Sequence, residues 1–135
     1  MSSTGNYNCR ITNNVARGDI IAFKSPEDQS KPSMKRVIGL SGEKVEIKNG
    51  KILINGKQIN MPSIANIYYY NKEDYAKEGK LVKVSEGFLY VLGDNSTRSK
   101  DSRYFGCISK ESIIGKCIFI YLPPRRFGKI EDNQK

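Results

Sequence analysis

The chain has 135 residues, a hydrophobic fraction of 38% and a formal net charge of +9 at pH 7. This length suits one domain with one core, and the positive charge favours acidic partners such as nucleic acid or an anionic membrane surface. The sequence contains no histidine, which excludes Ser-His-Asp and Cys-His catalysis and His-based zinc sites within this chain.

The three cysteines, Cys9, Cys107 and Cys117, have no CxxC spacing. This spacing disfavours metal binding and thioredoxin-like chemistry, and we expect neither a metal nor a cofactor. Cys107 and Cys117 lie in or near apolar runs, so we interpret them as core thiols, with a disulfide as the alternative. No apolar run approaches the roughly 18–20 residues that a helix needs to span a bilayer.

The first half of the chain predicts loops and short strands. Residues 1–17 are rich in Ser, Thr and Asn and predict a loop. The segments "GDIIAF" (18–23) and "MKRVIGL" (34–40) predict strands, separated by a turn-rich connection with two prolines. Residues 43–59 contain Asn-Gly twice, and Asn-Gly supplies the positive φ angles of tight hairpin turns, so this segment predicts a three-stranded meander.

The second half gives weaker signals before it returns to strands. The segment 61–84 contains Tyr68, Tyr69 and Tyr70, which indicate an aromatic edge strand or loop, with a base-stacking platform as the alternative. Residues 72–79 predict one or two helical turns. Strands are predicted at "GFLYVL" and "IIGKCIFIY", with a capped turn at "SKES" between them. Together these predicted elements indicate a mainly β fold with little helix.

Without histidine, the general bases that remain are lysine, carboxylates, tyrosine and an amino terminus. A lysine can activate a serine if burial lowers its pKa far below the reference value of about 10.4. Lys35 is the best candidate because it lies inside a predicted strand, which aims a side chain firmly. The alternative is a solvated strand lysine whose stem covers apolar surface.

Three ordered motifs resemble the catalytic domain of type I signal peptidases, the membrane-bound serine proteases that remove leader peptides from exported proteins. The motifs are "RGDIIAF" (17–23), "KRVIGLSGEKVEI" (35–47) and "GDNSTRSKDSRYFG" (93–106), and "IIGKCIFIYLPPRRFG" (113–128) resembles the family's closing strand and basic end. The resemblance implies an antiparallel β-sheet or β-barrel domain with coiled loops. It divides the chain into an N-terminal loop (1–17), a catalytic β domain (18–128) and a polar tail (129–135).

The resemblance also assigns roles to individual residues. It implies that Lys35 is the general base and that Ser99 orients it. Ser33 and Met34 precede the lysine and are expected to form one edge of the substrate cleft. The motif at residues 93–106 is here called the polar box. Its other matches to the family are expected to support the site, with Asp101 and Arg103 as an ion pair. These matches are Gly93, Asp94, Asn95, Asp101, Ser102 and Arg103.

The sequence departs from the family at its start. The family's nucleophile is a serine followed by methionine and, two residues on, proline, and residues 1–17 contain no such motif. Ser33-Met34 lies on the wrong side of "RGDIIAF", and Ser33 shares one strand face with Lys35 at about 6.5 Å, so we do not expect it to be the nucleophile. We expect that the serine and a membrane anchor lay upstream and that this chain alone is inactive.

The implied function is that of a serine endopeptidase acting on signal peptides of exported preproteins through a Ser/Lys dyad. The implied location is the outer face of the cell membrane, with the anionic membrane surface as a partner and no nucleic acid. One alternative is a non-catalytic peptide-binding homologue in pilus or export assembly. The other is a basic β-barrel that binds single-stranded nucleic acid through the three tyrosines.

Overall fold

The structure is a computed structural model that describes residues 6–10, 14–71 and 74–120. It is built from short antiparallel strands with little helix. The strands are β1 Asn6–Arg10, β2 Ile20–Lys24, β3 Pro32–Gly39, β4 Lys44–Lys48, β5 Lys51–Ile54, β6 Lys57–Gln58, β7 Val82–Lys83, β8 Phe88–Leu92, β9 Ile108–Ser109 and β10 Ile113–Ile120. The helices are α1 Pro62–Ala65 and α2 Ser102–Phe105, with 3-10 turns at Asp74–Ala76 and Lys110–Ser112.

The strands form two sheets. The larger has the order β1-β10-β2-β3-β8-β9 and the smaller the order β6-β5-β4-β7. Every pairing between these strands is antiparallel. Among the described residues neither sheet closes on itself, so the predicted antiparallel β-sheet fold is confirmed in its open form and not as a barrel. In the described ranges no helix is long and apolar enough to cross a bilayer.

The predicted meander is confirmed at residues 43–59. β4, β5 and β6 follow one another as antiparallel neighbours. The turn residues Asn49 and Asn55 have φ angles of 51° and 52°. These are the left-handed conformations that Asn tolerates better than most residues, which is why Asn-Gly locates both turns correctly.

Two apolar clusters lie on opposite faces of the central strands β3 and β8. On β8, Leu89 and Val91 pack into one cluster while Tyr90 and Leu92 pack into the other. On β3, Val37 and Ile38 divide in the same way. Strands buried on both faces have little freedom to move, so β3 is a rigid support for any side chain at its polar end.

The prediction of a loop over residues 1–17 is wrong at Asn6–Arg10, which forms β1. This stretch has weak strand propensity, but it pairs along its whole length with the long edge of β10. Tertiary pairing of this kind overrides local propensity. The domain boundaries expected at residues 17 and 128 remain a proposal.

The interpretation of the cysteines is half right. Cys107 is free, half-buried and packed against the core, as predicted. Cys117 is disulfide-bonded, so its interpretation as a core thiol is wrong. Cys9 lies directly opposite it in the pairing of β1 with β10.

Candidate active site

Lys35 lies on β3 opposite Ile21 of β2, next to the buried half of the strand. Its side chain is half-buried. The Nζ atom donates a hydrogen bond to Ser99 Oγ at 3.0 Å, across 64 positions of sequence. The structure therefore brings together the two residues that the sequence assigned to the catalytic lysine and its orienting serine.

Partial burial lowers the pKa of Lys35 below its ordinary value of 10.5. The cause is desolvation, because an ammonium group that loses water loses part of its hydration free energy. The Asp101 carboxylate opposes this effect and raises the lysine pKa, whereas the Arg103 guanidinium lowers it further. Arg103 and Asp101 therefore act in opposite directions on the same amine.

Ser99 occupies a space that only a glycine at position 93 leaves open. A Cβ atom on Gly93 would overlap Ser99 Oγ and would lie 2.5 Å from Ser99 Cβ and 3.5 Å from Lys35 Nζ. Ser99 is buried, and its backbone N–H donates to the Asn95 carbonyl at 3.0 Å. Gly93 is needed here for steric reasons, since its φ is not among the positive ones.

Asp101 and Arg103 form a fully buried ion pair beside the lysine, with both side chains 0% exposed. Asp101 Oδ1 accepts from Arg103 Nε at 2.9 Å, and Oδ2 accepts from Arg103 Nη2 at 2.8 Å. Asp101 also caps α2 by accepting from the Arg103 backbone N–H, and Oδ2 accepts from Gly93 N–H at 2.9 Å. One carboxylate thus joins the start of the box to its end.

A second ion pair lies at the rim of the site, between Arg36 and Asp94. The guanidinium donates from Nε and Nη2 to the two carboxylate oxygens at 3.0 and 2.7 Å. Arg36 Nη1 also donates to the Gly18 carbonyl at 2.8 Å. Because Asp94 is 47% exposed, we interpret this pair as a link between three segments more than as a source of stability.

The other two box residues make local contacts. Asn95 begins the turn, and its carbonyl accepts from the N–H groups of Arg98 and Ser99. The buried Ser102 accepts from the Val91 backbone N–H at 2.9 Å, which fastens α2 to β8.

Ser33 and Met34 lie where the sequence places a cleft edge. Both are half-buried residues on the N-terminal part of β3. Met34 lines an open pocket of about 230 Å³ together with Ile20, Lys35, Arg36 and Asp94. Ser33 is not among the residues that line it. Their role in binding remains a prediction.

Sequence analysis missed two groups that hold the site together. Arg36 follows Lys35 directly, but its pairing with Asp94 depends on strand register. Ser96 accepts hydrogen bonds from Arg103 Nη1 and from Tyr70 N–H, both at 3.0 Å, and Arg103 Nη1 also donates to the Tyr70 carbonyl at 3.0 Å. Arg103 has more donors than the Asp101 carboxylate accepts, and this was the signal that could have pointed to Ser96 in the same motif.

Chemically, the site offers a lysine amine of lowered pKa that is held by a hydroxyl, on a residue that lines an open pocket. In its neutral form such an amine can take a proton from a hydroxyl nucleophile. In the described part of the chain no group of three or more acidic, cysteine or histidine residues could hold a metal ion. The fold and this site define a mainly β protein in which a half-buried lysine is hydrogen-bonded to a buried serine.

The comparisons with known proteins agree on one family. Residues 3–122 match the profile of the family described as signal peptidase, peptidase S26. The chain is 37% identical over 121 residues to "Signal peptidase I" of Leptolyngbya laminosa, covering 84% of this chain and 56% of that protein. It is 36% identical over 126 residues to "Signal peptidase I P" of Bacillus subtilis subsp. natto, covering 87% and 65%.

A solved structure gives the same result. The crystal structure of a signal peptidase I from Enterococcus faecalis V583 superimposes with a TM-score of 0.64 and 36% sequence identity, covering 79% of this chain and 98% of that chain. The chain therefore belongs to the signal peptidase S26 family. It spans 56% and 65% of the length of the two relatives named above.

Proposed function

We propose that this chain carries the general-base half of a type I signal peptidase, a serine endopeptidase that removes leader peptides from exported preproteins. The observation that carries the proposal is the hydrogen bond of 3.0 Å between Lys35 Nζ and Ser99 Oγ, on a lysine whose pKa is lowered by burial. Membership of the signal peptidase family supports the substrate class.

In this mechanism the neutral Lys35 amine takes the proton of a serine hydroxyl as that oxygen attacks the scissile carbonyl. The resulting Lys35 ammonium gives a proton to the leaving amine, and water then hydrolyses the acyl-enzyme with the amine again as base. Ser99 orients the lone pair of the lysine nitrogen. The serine belongs to a Ser-Met-x-Pro segment that residues 1–17 do not contain.

The substrate is proposed to bind as an added strand along Ser33 and Met34. β2 pairs with β3 from Pro32 to Arg36, whereas the described pairing of β8 with β3 begins at Arg36. Among the described residues, the main chain of residues 32–35 is thus paired on the β2 side alone. An extended leader peptide on the other side would pass in front of Lys35.

The proposed location is the membrane, with the catalytic domain on its outer face and the anionic lipid surface as a partner. The net charge of +9 supports this attraction. One observation favours a second function, a non-catalytic peptide-binding homologue of pilus or export assembly. It is the main chain of residues 32–35, which among the described residues pairs on the β2 side alone and could hold an extended peptide with or without cleavage.

A chimera separates the two functions. The part of the Bacillus relative that precedes its match to Arg17 is placed ahead of Arg17, and cleavage of a leader peptide is measured in detergent. We expect cleavage that Lys35→Ala abolishes and that the exposed-lysine control Lys24→Ala leaves intact. A folded chimera that does not cleave, beside an active parent relative, would favour the peptide-binding function.

A further inference from the structure

The outer face of the smaller sheet is strongly basic. Along β4, Val45 and Ile47 point into the core, so their neighbours point outward. The outward residues of the sheet include four exposed lysines, here called the lysine face. These are Lys44 and Lys48 on β4, Lys51 on β5 and Lys83 on β7.

The lysines of this face are arranged as two like-charge pairs. Lys44 lies directly opposite Lys83, and Lys48 lies directly opposite Lys51. Like charges directly opposite each other destabilise a sheet. Glu46 is the acidic residue between the two pairs, and its partner across the strands is Leu53. In the described part of the chain, none of the four lysines forms an ion pair.

Two exposed tyrosines border the lysine face. The Tyr68 ring lies against Gly50, in the turn between Lys48 and Lys51. Tyr70 lies beside it, with ring centroids 4.8 Å apart and planes tilted by 56°. The two side chains are 55% and 46% exposed. Tyrosines are enriched at membrane–water interfaces because the ring is apolar and its hydroxyl is polar.

The same tyrosines are a poor platform for nucleic acid. The rings contact each other and leave no space for a base between them. Tyr69, the middle residue, is 1% exposed and belongs to the core. A row of stacked bases needs several free ring faces, so the arrangement favours a planar anionic surface over a single strand.

We propose that the lysine face, with Tyr68 and Tyr70 at its border, docks on anionic lipid headgroups. The unpaired lysines then find their counter-charges on the lipid, and the two tyrosines lie at headgroup depth. The proposal names the surface through which the proposed peptidase meets the membrane and to that extent depends on the proposed function. Docking itself is measured without any peptide cleavage.

The test is flotation of this chain with vesicles of equimolar phosphatidylglycerol and phosphatidylcholine, and with vesicles of phosphatidylcholine alone. The sheet variant changes the four lysines of the lysine face to glutamine. Each lysine near an anionic surface contributes about a fivefold factor in binding, so we expect the partition coefficient of the sheet variant to fall at least tenfold. High salt should weaken wild-type binding.

The matched control changes four exposed lysines outside this face to glutamine, namely Lys24, Lys31, Lys100 and Lys110. Both variants have the same net charge, so a specific face predicts much weaker binding by the sheet variant than by the control. Changing the same face to arginine keeps the charge and should preserve binding. Thermal melting should show that the sheet variant is folded, since it removes two repulsive pairs.

Equal vesicle binding by the two glutamine variants would overturn the proposal. The proposal would also be overturned if the four lysines were needed for binding oligothymidine but not for binding vesicles. The Lys35–Ser99 pair is unchanged in every variant, so the chimera of the preceding section tests peptidase activity separately. Absence of cleavage with intact docking would show that the proposed peptidase function has failed. Cleavage without docking by the lysine face would show that the docking proposal has failed.

Discussion

Replacing Asp101 with asparagine tests the role of the buried ion pair. The change keeps the shape of the side chain but removes its charge. Arg103 then remains fully buried without its counter-ion, and the donors on Arg103 and on Gly93 N–H lose the carboxylate that accepted from them. Removing one partner of a buried pair costs about 3–5 kcal/mol.

Urea unfolding measures this loss. With an m-value of about 1–3 kcal/mol/M, the unfolding midpoint of Asp101→Asn should fall by at least about 1 M. Asp94→Asn is the matched control, because it removes a carboxylate from the same box. Its partner Arg36 lies near the surface and Asp94 is 47% exposed, so the control should cost less than about 1 kcal/mol.

A double variant, Asp101→Leu with Arg103→Met, checks the physical cause. If the cost arises from an uncompensated buried charge, removing both charges should destabilise less than the sum of the single changes. Equal losses for Asp101→Asn and Asp94→Asn would refute the reasoning. Strict additivity in the double variant would refute it as well.

Three further changes probe the site. Gly93→Ala should cost about 1–3 kcal/mol of stability and should break the Lys35–Ser99 hydrogen bond. A shifted Lys35 Nζ resonance would report the broken bond. Unchanged stability would contradict the close packing of Ser99 against Gly93. Ser96→Ala should cost about 1–3 kcal/mol, because the buried Arg103 Nη1 and the part-buried Tyr70 N–H lose an acceptor. Ser96→Thr should restore most of this stability in the same urea assay. Lys35→Met should raise stability at neutral pH, since it removes the cost of desolvating the Lys35 amine. The folded-state pKa of Lys35 lies below the unfolded-state value, so between these two pKa values the unfolded chain binds more protons than the folded chain. The stability advantage of the Met variant should therefore shrink as pH rises from the folded-state pKa towards 10.5. A stability difference that does not depend on pH would contradict this prediction.

Local sequence signals were sufficient for several elements. Asn49 and Asn55 locate both turns of the meander because few residues tolerate their φ angles. The apolar run at residues 88–92 predicts the strand β8. Ser109 predicts the capped turn at Lys110–Ser112, because its hydroxyl accepts from the Glu111 N–H. In each case the determining interaction lies within a few residues of sequence.

Long-range pairing limits what a sequence can predict. Nothing within Asn6–Arg10 indicates a strand, because that strand exists through its pairing with β10. The pairing of Lys35 with Ser99 was predicted from the family motifs and not from local signals. Ser96 and Arg103 lie in the same motif at residues 93–106, but their contacts with Tyr70 join that motif to a segment outside it. Those contacts emerge only with the tertiary structure.

Lys35 is a desolvated amine held by Ser99. Nitrogen-15 NMR of the lysine side chains, recorded as a function of pH, tests this assignment directly. We predict that the pKa of the Lys35 amine lies below its ordinary value of 10.5 and that Ser99→Ala shifts its resonance. A Lys35 pKa at its ordinary value of 10.5, unaffected by Ser99→Ala, would contradict this assignment.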